Sequence, residues 1–460
     1  MMDFSLRTYK NDIVTALSDF IKIPSVKADP VGHMPYGKNV FDALMYVLNL
    51  AERLDFESVN MFSHVGYVEY GHGDDLFVIL THIDVVPAGD GWQFPPFGGV
   101  VQDGRIYGRG AVDDKGAAIC ALYVLHALKE NCKNLNKRIR LIFGCDEESG
   151  WTDMDFYRRH EPAEPAMAIS PDANFPLING EKGLLQITLT KKSDISPQKG
   201  VHLTSLQGGD RVNIVPNEAN CFIAGDPTLL KRAFDLYMAD LSLPVTCRER
   251  ENGIEITAQG KAAHGSKPQL GENAVMRIVS FLNTLPLTVS AAADAVYALS
   301  RCIGDTTDGS LLGIAAKDAT MGDLTVNVGR VTLCEDKAEI ALDIRYPRTT
   351  DEQTILERIS QAFCGFTVQK HHAMPPHYVQ PDSPLVQGLL AAYEEVTGQS
   401  GKPYCIGGAT YARIFKNSVA FGPIFPGQPS LEHQKDEYID IDSLIRAGDV
   451  MANAILRLCT

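Results

Sequence analysis

Three apolar, strand-length runs in this chain all end in groups able to bind a cation, and this constrains its fold more than any other feature. Leu76-Phe77-Val78-Ile79-Leu80 leads into Thr81-His82-Ile83-Asp84. Arg138-Ile139-Arg140-Leu141-Ile142-Phe143-Gly144-Cys145 leads into Asp146-Glu147-Glu148, and Ala166-Met167-Ala168-Ile169-Ser170 into Pro171-Asp172. Short apolar runs of this kind read as buried strands. In an open α/β sheet, ligands bind beyond the carboxyl ends of the strands. Acids scattered at random would not choose the same end of three strands. His82 and Asp84 are two apart, so on a continuing strand they point to one side. A neutral imidazole is a common metal ligand, and a nearby carboxylate can hold and polarise it.

Around these runs the texture alternates. Helices are expected over about 5–23, 39–54, 117–130 and 154–160, with a strand region over 56–70. That alternation predicts an α/β catalytic domain, a mostly parallel sheet with helices on both faces. After Gly183 the pattern changes. Residues 184–190 alternate apolar and polar, as a half-exposed antiparallel strand would. Further strands are expected over 219–224, 253–259, 324–333 and 338–346, and helices over 226–241, 273–285 and 351–363. Helix–strand–helix texture resumes over 384–397, 418–424 and 441–458. At 460 residues the chain is too long for one core. The reading is one domain, 1–183 and 379–460, interrupted by an inserted α+β domain, 184–378.

Charge and cysteine usage narrow the function. A net charge of −15 argues against nucleic acid or an anionic membrane as partner. No run of ~18 apolar residues predicts a membrane span, and no basic start followed by an apolar core marks a signal peptide. Ten cysteines without a Cys-x-x-Cys pair read as free thiols in a reducing cytoplasm. A metal here should therefore sit among oxygen and nitrogen ligands.

Other residues stay open on their own. Asp113 and Asp114 follow Gly108-Arg109-Gly110 and precede Lys115-Gly116 and an apolar helix. They suit helix caps and a cation site about equally. The segment lacks the phosphate-loop patterns. Trp92 and Phe97 lie in a Pro- and Gly-rich loop and read as anchors. His433 sits in a polar loop and by itself reads as a surface residue, and His371, His372 and His377 read as structural or solvated.

Taken together, Thr81-His82-Ile83-Asp84, the Gly108–Gly116 segment, Asp146-Glu147-Glu148-Ser149-Gly150, Ser170-Pro171-Asp172 and Leu431-Glu432-His433 resemble, in order, the motifs of the co-catalytic zinc aminoacylase/carboxypeptidase/dipeptidase family. Ile178-Asn179-Gly180-Glu181-Lys182-Gly183 and the long insertion look most like its dipeptidase V branch. The resemblance implies two divalent ions, zinc first, with manganese or cobalt as alternatives. His82 and Asp172 would bind one ion and Glu148 and His433 the other, with Asp113 bridging across a cis Asp113–Asp114 peptide. Asp84 would orient His82, and Glu147 would be the general base. His264, in Gly260-Lys261-Ala262-Ala263-His264-Gly265-Ser266, would stabilise the oxyanion. Asn213, Arg345, Gly408 and Thr410 would bind substrate, with Arg345 gripping a peptide carboxylate. The implied activity is hydrolysis of dipeptides or short peptides with a free C-terminus, under a lid large enough to supply His264 within one chain. A monomer is then favoured and a homodimer is the alternative. An N-acyl-amino-acid hydrolase of the same family is the alternative activity, and a catalytically inactive metal-binding scaffold the remote one.

Overall fold

Leu76–His82 forms a strand at the centre of a nine-stranded sheet in the computed structural model, which describes residues 5–132, 134–194 and 199–460. On one side it pairs in parallel with Arg138–Gly144, and on the other with Met167–Ser170, which in turn pairs in parallel with Ser418–Ala420. The register sets His82 opposite Gly144, and Ser170 opposite Ala420. The parallel strands therefore stop together, and their following loops leave from one edge. Antiparallel strands extend the sheet outward, beginning with Val65–Gly71 beside Arg138–Gly144.

Burial explains the apolar runs. In Leu76–His82 every residue from Phe77 onward is buried. A strand covered on both faces needs apolar residues throughout, not alternation. The helix Lys115–Asn131 is likewise buried nearly all round. The helix Ile441–Cys459 packs against it, and a Cβ on Gly448 would lie 2.7 Å from Cys120 Sγ and 2.1 Å from Leu6 Cδ1. The expected 418–424 strand is two short pieces, Ser418–Ala420 and Pro423–Ile424. Proline has no N–H to give to a ladder, which suits a break before Pro423.

The chain divides into two compact units, Met1–Gly180 with Tyr378–Tyr404 and Ala409–Thr460, and Glu181–His377 with Cys405–Gly408. Residues 405–408 thus belong with the second unit, whereas the sequence reading assigned all of 379–460 to the first. Arg345 Nη1 donates to Gly407 O at 2.8 Å and the Lys182 N–H to Ile406 O at 2.9 Å, which ties the segment to that unit.

The second unit holds an eight-stranded antiparallel sheet in the order Val245–Arg250, Gly253–Gln259, Glu218–Ala224, His202–Gly208, Thr325–Cys334, Lys337–Tyr346, Gly183–Lys192 and Thr367–Met374. Its helices start on polar caps. Asp226 and Asn273 accept N–H bonds from the first turns of Pro227–Met238 and Ala274–Leu282. Gly183–Lys192 is more buried than its alternation predicts, with Thr188 only 5% exposed and bonded to His371. Both edge strands, Val245–Arg250 and Thr367–Met374, escaped the sequence reading. Edges carry charged and polar residues that blunt pairing with other chains, so they lack the apolar signature. The helix Ala291–Cys302 escaped it too, because its alanine run leaves little contrast between faces.

Candidate active site

In the first unit the strand ends bring the predicted ligands together in two groups that share one residue. His82, Asp113 and Asp172 form one, and Asp113, Glu148 and His433 the other, with candidate donor atoms within 4.8 Å of one another in each. Asp113 turns one oxygen toward each imidazole. Its Oδ1 lies 2.9 Å from His82 Nε2 and its Oδ2 3.1 Å from His433 Nε2. Asp172 Oδ2 is 3.8 Å from His82 Nε2, and Glu148 Oε1 is 3.0 Å from His433 Nε2.

The backbone is specialised where these side chains emerge. Asp113–Asp114 is a cis peptide. A Cβ on Gly116 would lie 2.2 Å from Ala111 O, so only glycine fits directly after Lys115. His433 adopts φ 63°, a left-handed conformation that costs a non-glycine residue about 1–2 kcal/mol. Asp114 precedes the helix Lys115–Asn131 without capping it. Its Oδ2 instead accepts the His82 N–H at 3.2 Å.

Asp84 does more than the sequence reading assigned to it. His82 Nδ1 lies 3.0 Å from the Asp84 main-chain oxygen and 3.4 Å from its carboxylate. A carbonyl oxygen can only accept, so Nδ1 carries a proton, and Nε2 is the nitrogen that faces Asp113. The Asp84 carboxylate is occupied by the N–H groups of Glu147 and Glu148, each at 3.1 Å. It therefore ties the His82 strand to the loop bearing both glutamates. That loop is braced from below by Asp153, which the sequence reading missed. Asp153 Oδ2 accepts from Cys145 N at 2.6 Å, Asp146 N at 3.1 Å and the Tyr411 hydroxyl at 2.5 Å.

The electrostatics fit two divalent cations. Burial, followed by the charge of Asp113, pushes the Asp172 carboxyl well above its usual range, and the same two causes raise Glu148. Burial opposes charge on His82, yet bonds to Asp113 and Asp84 raise it well above its ordinary value. Bonds to Asp113 and Glu148 push His433 up to about 11. Among the described residues, three carboxylates thus crowd together with two imidazoles in these two groups. A donor set of oxygens and imidazole nitrogens suits zinc, manganese or cobalt. Among the described residues, no such group includes His371, His372 or His377. Trp92 anchors its loop, donating from Nε1 to Ala88 O at 2.8 Å.

The second unit gathers most of the predicted substrate residues. The loops of Asn213 and His264 pair through Gly265 N–H to Asn213 O at 2.6 Å and Val215 N–H to Ala263 O at 2.9 Å. Asn327 Nδ2 supports them, donating to Val212 O and Ile214 O on either side of Asn213. His264 Nδ1 accepts the Ser266 N–H at 3.2 Å, which leaves the neutral ring's proton on Nε2. Arg345 is held by Asp343 through Nε at 2.6 Å and Nη2 at 3.0 Å, and Nη1 donates to Gly407 O. Among the described residues, one N–H on each terminal nitrogen remains for a further acceptor. Gly408 lies beside Gly407 in this unit. Thr410 falls in the first unit, where its hydroxyl accepts the Ala412 N–H and caps a short 3-10 helix. Arg345→Leu would leave Asp343, which is 0% exposed, without its cation. The expected loss is about 3–5 kcal/mol of stability, read from the urea midpoint.

Comparisons with known proteins place the chain in a family. The sequence profile of Peptidase family M20/M25/M40 matches residues 78–457. A Bacillus subtilis (strain 168) relative named "Putative dipeptidase YtjP" is 37% identical over 98% of this chain and 97% of its own length. SSP1012 of Staphylococcus saprophyticus, of the same designation, is 35% identical over 99% of this chain and 98% of its own. Among solved structures, human carnosine dipeptidase 1 superposes with a TM-score of 0.60 at 14% identity, covering 98% of this chain and 97% of that one. The di-peptidase Dug1p of Saccharomyces cerevisiae does so with 0.59 at 15% identity, with the same coverage. These two likenesses show the fold. No helix among the described residues is long and apolar enough to cross a membrane. With its profile match and relatives aligned over nearly its full length, the chain belongs to peptidase family M20/M25/M40, a family of metallopeptidase hydrolases.

Proposed function

We propose that the chain is a dipeptidase that hydrolyses dipeptides or short peptides bearing a free C-terminal carboxylate, with zinc as its ion. The observation that carries the reading is Asp113, whose two oxygens each face a different imidazole. That is what a bridging ligand between two ions requires. His82 and Asp172 would hold one ion, and Glu148 and His433 the other. Bound there, the two ions would polarise the scissile carbonyl and acidify the attacking water.

The chain's own residues do the rest. Glu147 takes the proton from the attacking water and delivers it to the leaving amine. Asp84 holds Glu147 in place through its backbone N–H. His264 donates from Nε2 to the oxygen that gains charge. Arg345 offers its two remaining N–H groups to the substrate carboxylate, and Asn213 and the Gly408–Thr410 segment line the peptide. The enzyme acts as a monomer. Ten cysteines without a Cys-x-x-Cys pair support a reducing, cytoplasmic setting.

The test is a panel of dipeptides, each offered free and N-acetylated, to enzyme stripped of metal and reloaded with zinc or manganese. Turnover of the free peptides only, restored by metal, is the expected result. Turnover of the acetylated set alone would make the protein an acyl-amino-acid hydrolase instead.

A further inference from the structure

Glu437 lies four residues beyond His433, is 0% exposed, and has no part in the mechanism above. Its side chain grips the loop that carries Asp113. Oε1 accepts three backbone N–H groups, from Gly110 at 3.0 Å, Val112 at 2.9 Å and Asp113 at 3.3 Å. Oε2 accepts from Arg109 Nη1 at 2.6 Å. Its main-chain oxygen accepts the Gly108 N–H at 2.9 Å. The strand that follows, Tyr438–Asp440, continues the attachment by pairing with Arg105–Tyr107. All these contacts join the segment bearing His433 to the segment bearing Asp113.

We propose that Glu437 is a positioning residue that locks the Asp113 loop to the His433 loop, so that both ions depend on a side chain that touches neither. Three converging N–H groups form a concave anion cradle, and the carboxylate fills it from within the protein. The grip fixes the backbone of Asp113, and so fixes where its two oxygens point. The distance from the bridging carboxylate to His433 is then set by one rigid unit rather than by two independent loops. A buried carboxylate held only to neutralise Arg109 would need just the Oε2 contact. The three N–H bonds to Oε1 are what the ion pair alone leaves unexplained.

The inference rests on the metal reading above, and the experiment separates the two. Metal-stripped protein is titrated with zinc against a chromophoric chelator, and folding is followed by far-UV circular dichroism. The native chain is expected to take up two ions. Glu437→Ala is expected to bind them about 10–100-fold more weakly, the effect typical of losing a group that orients a ligand, with its fold intact. Combining Glu437→Gln with Arg109→Met removes the buried charge pair but keeps an oxygen in the cradle, and should recover most of the affinity. It also keeps the test open if the alanine variant fails to fold. Native-like zinc affinity in folded Glu437→Ala would overturn the inference and leave the metal site standing. Weak binding by a folded double variant would overturn it too, since charge and not grip would then matter. A native chain that takes up no zinc would remove the metal reading and this inference together.

Discussion

Replacing Glu147 with alanine is expected to lower turnover about 10²–10⁴-fold, the range typical of a positioned general base, while the protein still takes up two ions. The two halves of that expectation come from different contacts. Among the described residues, Glu147 belongs to neither candidate ligand group, so its loss is expected to leave both groups whole. Its backbone N–H, held by Asp84, and its carbonyl, which accepts from Trp151 Nε1 at 2.7 Å, survive the substitution. The loop that presents Glu148 should therefore keep its shape. Burial pushes the Glu147 carboxyl well above its usual range. The acidic limb of the pH profile of kcat should change in Glu147→Ala, because the group that must be deprotonated there is gone. Steady-state kinetics on a free dipeptide, beside a zinc titration, decide the point. Near-native turnover would remove Glu147 from the mechanism. Lost zinc uptake would make it a ligand instead.

Asp113→Asn should have the larger effect on the ions themselves. An amide offers one oxygen where the carboxylate offers two, and it carries no charge. The structure uses both Asp113 oxygens, one toward each imidazole. The variant is expected to hold at most one zinc at the native affinity and to lose nearly all turnover. Asp114→Asn, one residue away, should keep both ions, since Asp114 takes the His82 N–H and joins neither ligand group. Zinc content after gel filtration, compared across both variants, distinguishes bridging by Asp113 from bridging by its neighbour. Two tightly held ions in Asp113→Asn would overturn the bridging assignment.

How much was legible before the fold was known depended on whether a residue's role left a local pattern. The buried parallel strands were visible because a strand covered on both faces must be apolar along its length. Their shared chemistry was visible because each run ended in acids or a histidine. The central helix at Lys115–Asn131 was visible for the same reason of burial. Edge strands were not, since Val245–Arg250 and Thr367–Met374 carry the polar residues that any surface loop carries.

The supporting residues were hidden more deeply. Glu437, Asp153 and Arg109 are buried, yet each reads in a sequence as an ordinary solvated charge. An acid near a histidine in a polar loop could have flagged Glu437, but nothing local distinguished it from Glu432 or Asp436. By local pattern alone Asp114 was ambiguous with Asp113; the backbone turns one toward the two imidazoles and the other toward the His82 N–H. The sequence by itself determined which residue types stand at the ends of which strands, because strand burial and ligand chemistry both depend on side-chain identity. Only the tertiary structure decided which acids face an imidazole and which grip a loop. That depends on partners more than 300 residues away, as for Glu437 and Gly110, and such contacts leave no periodicity in the chain.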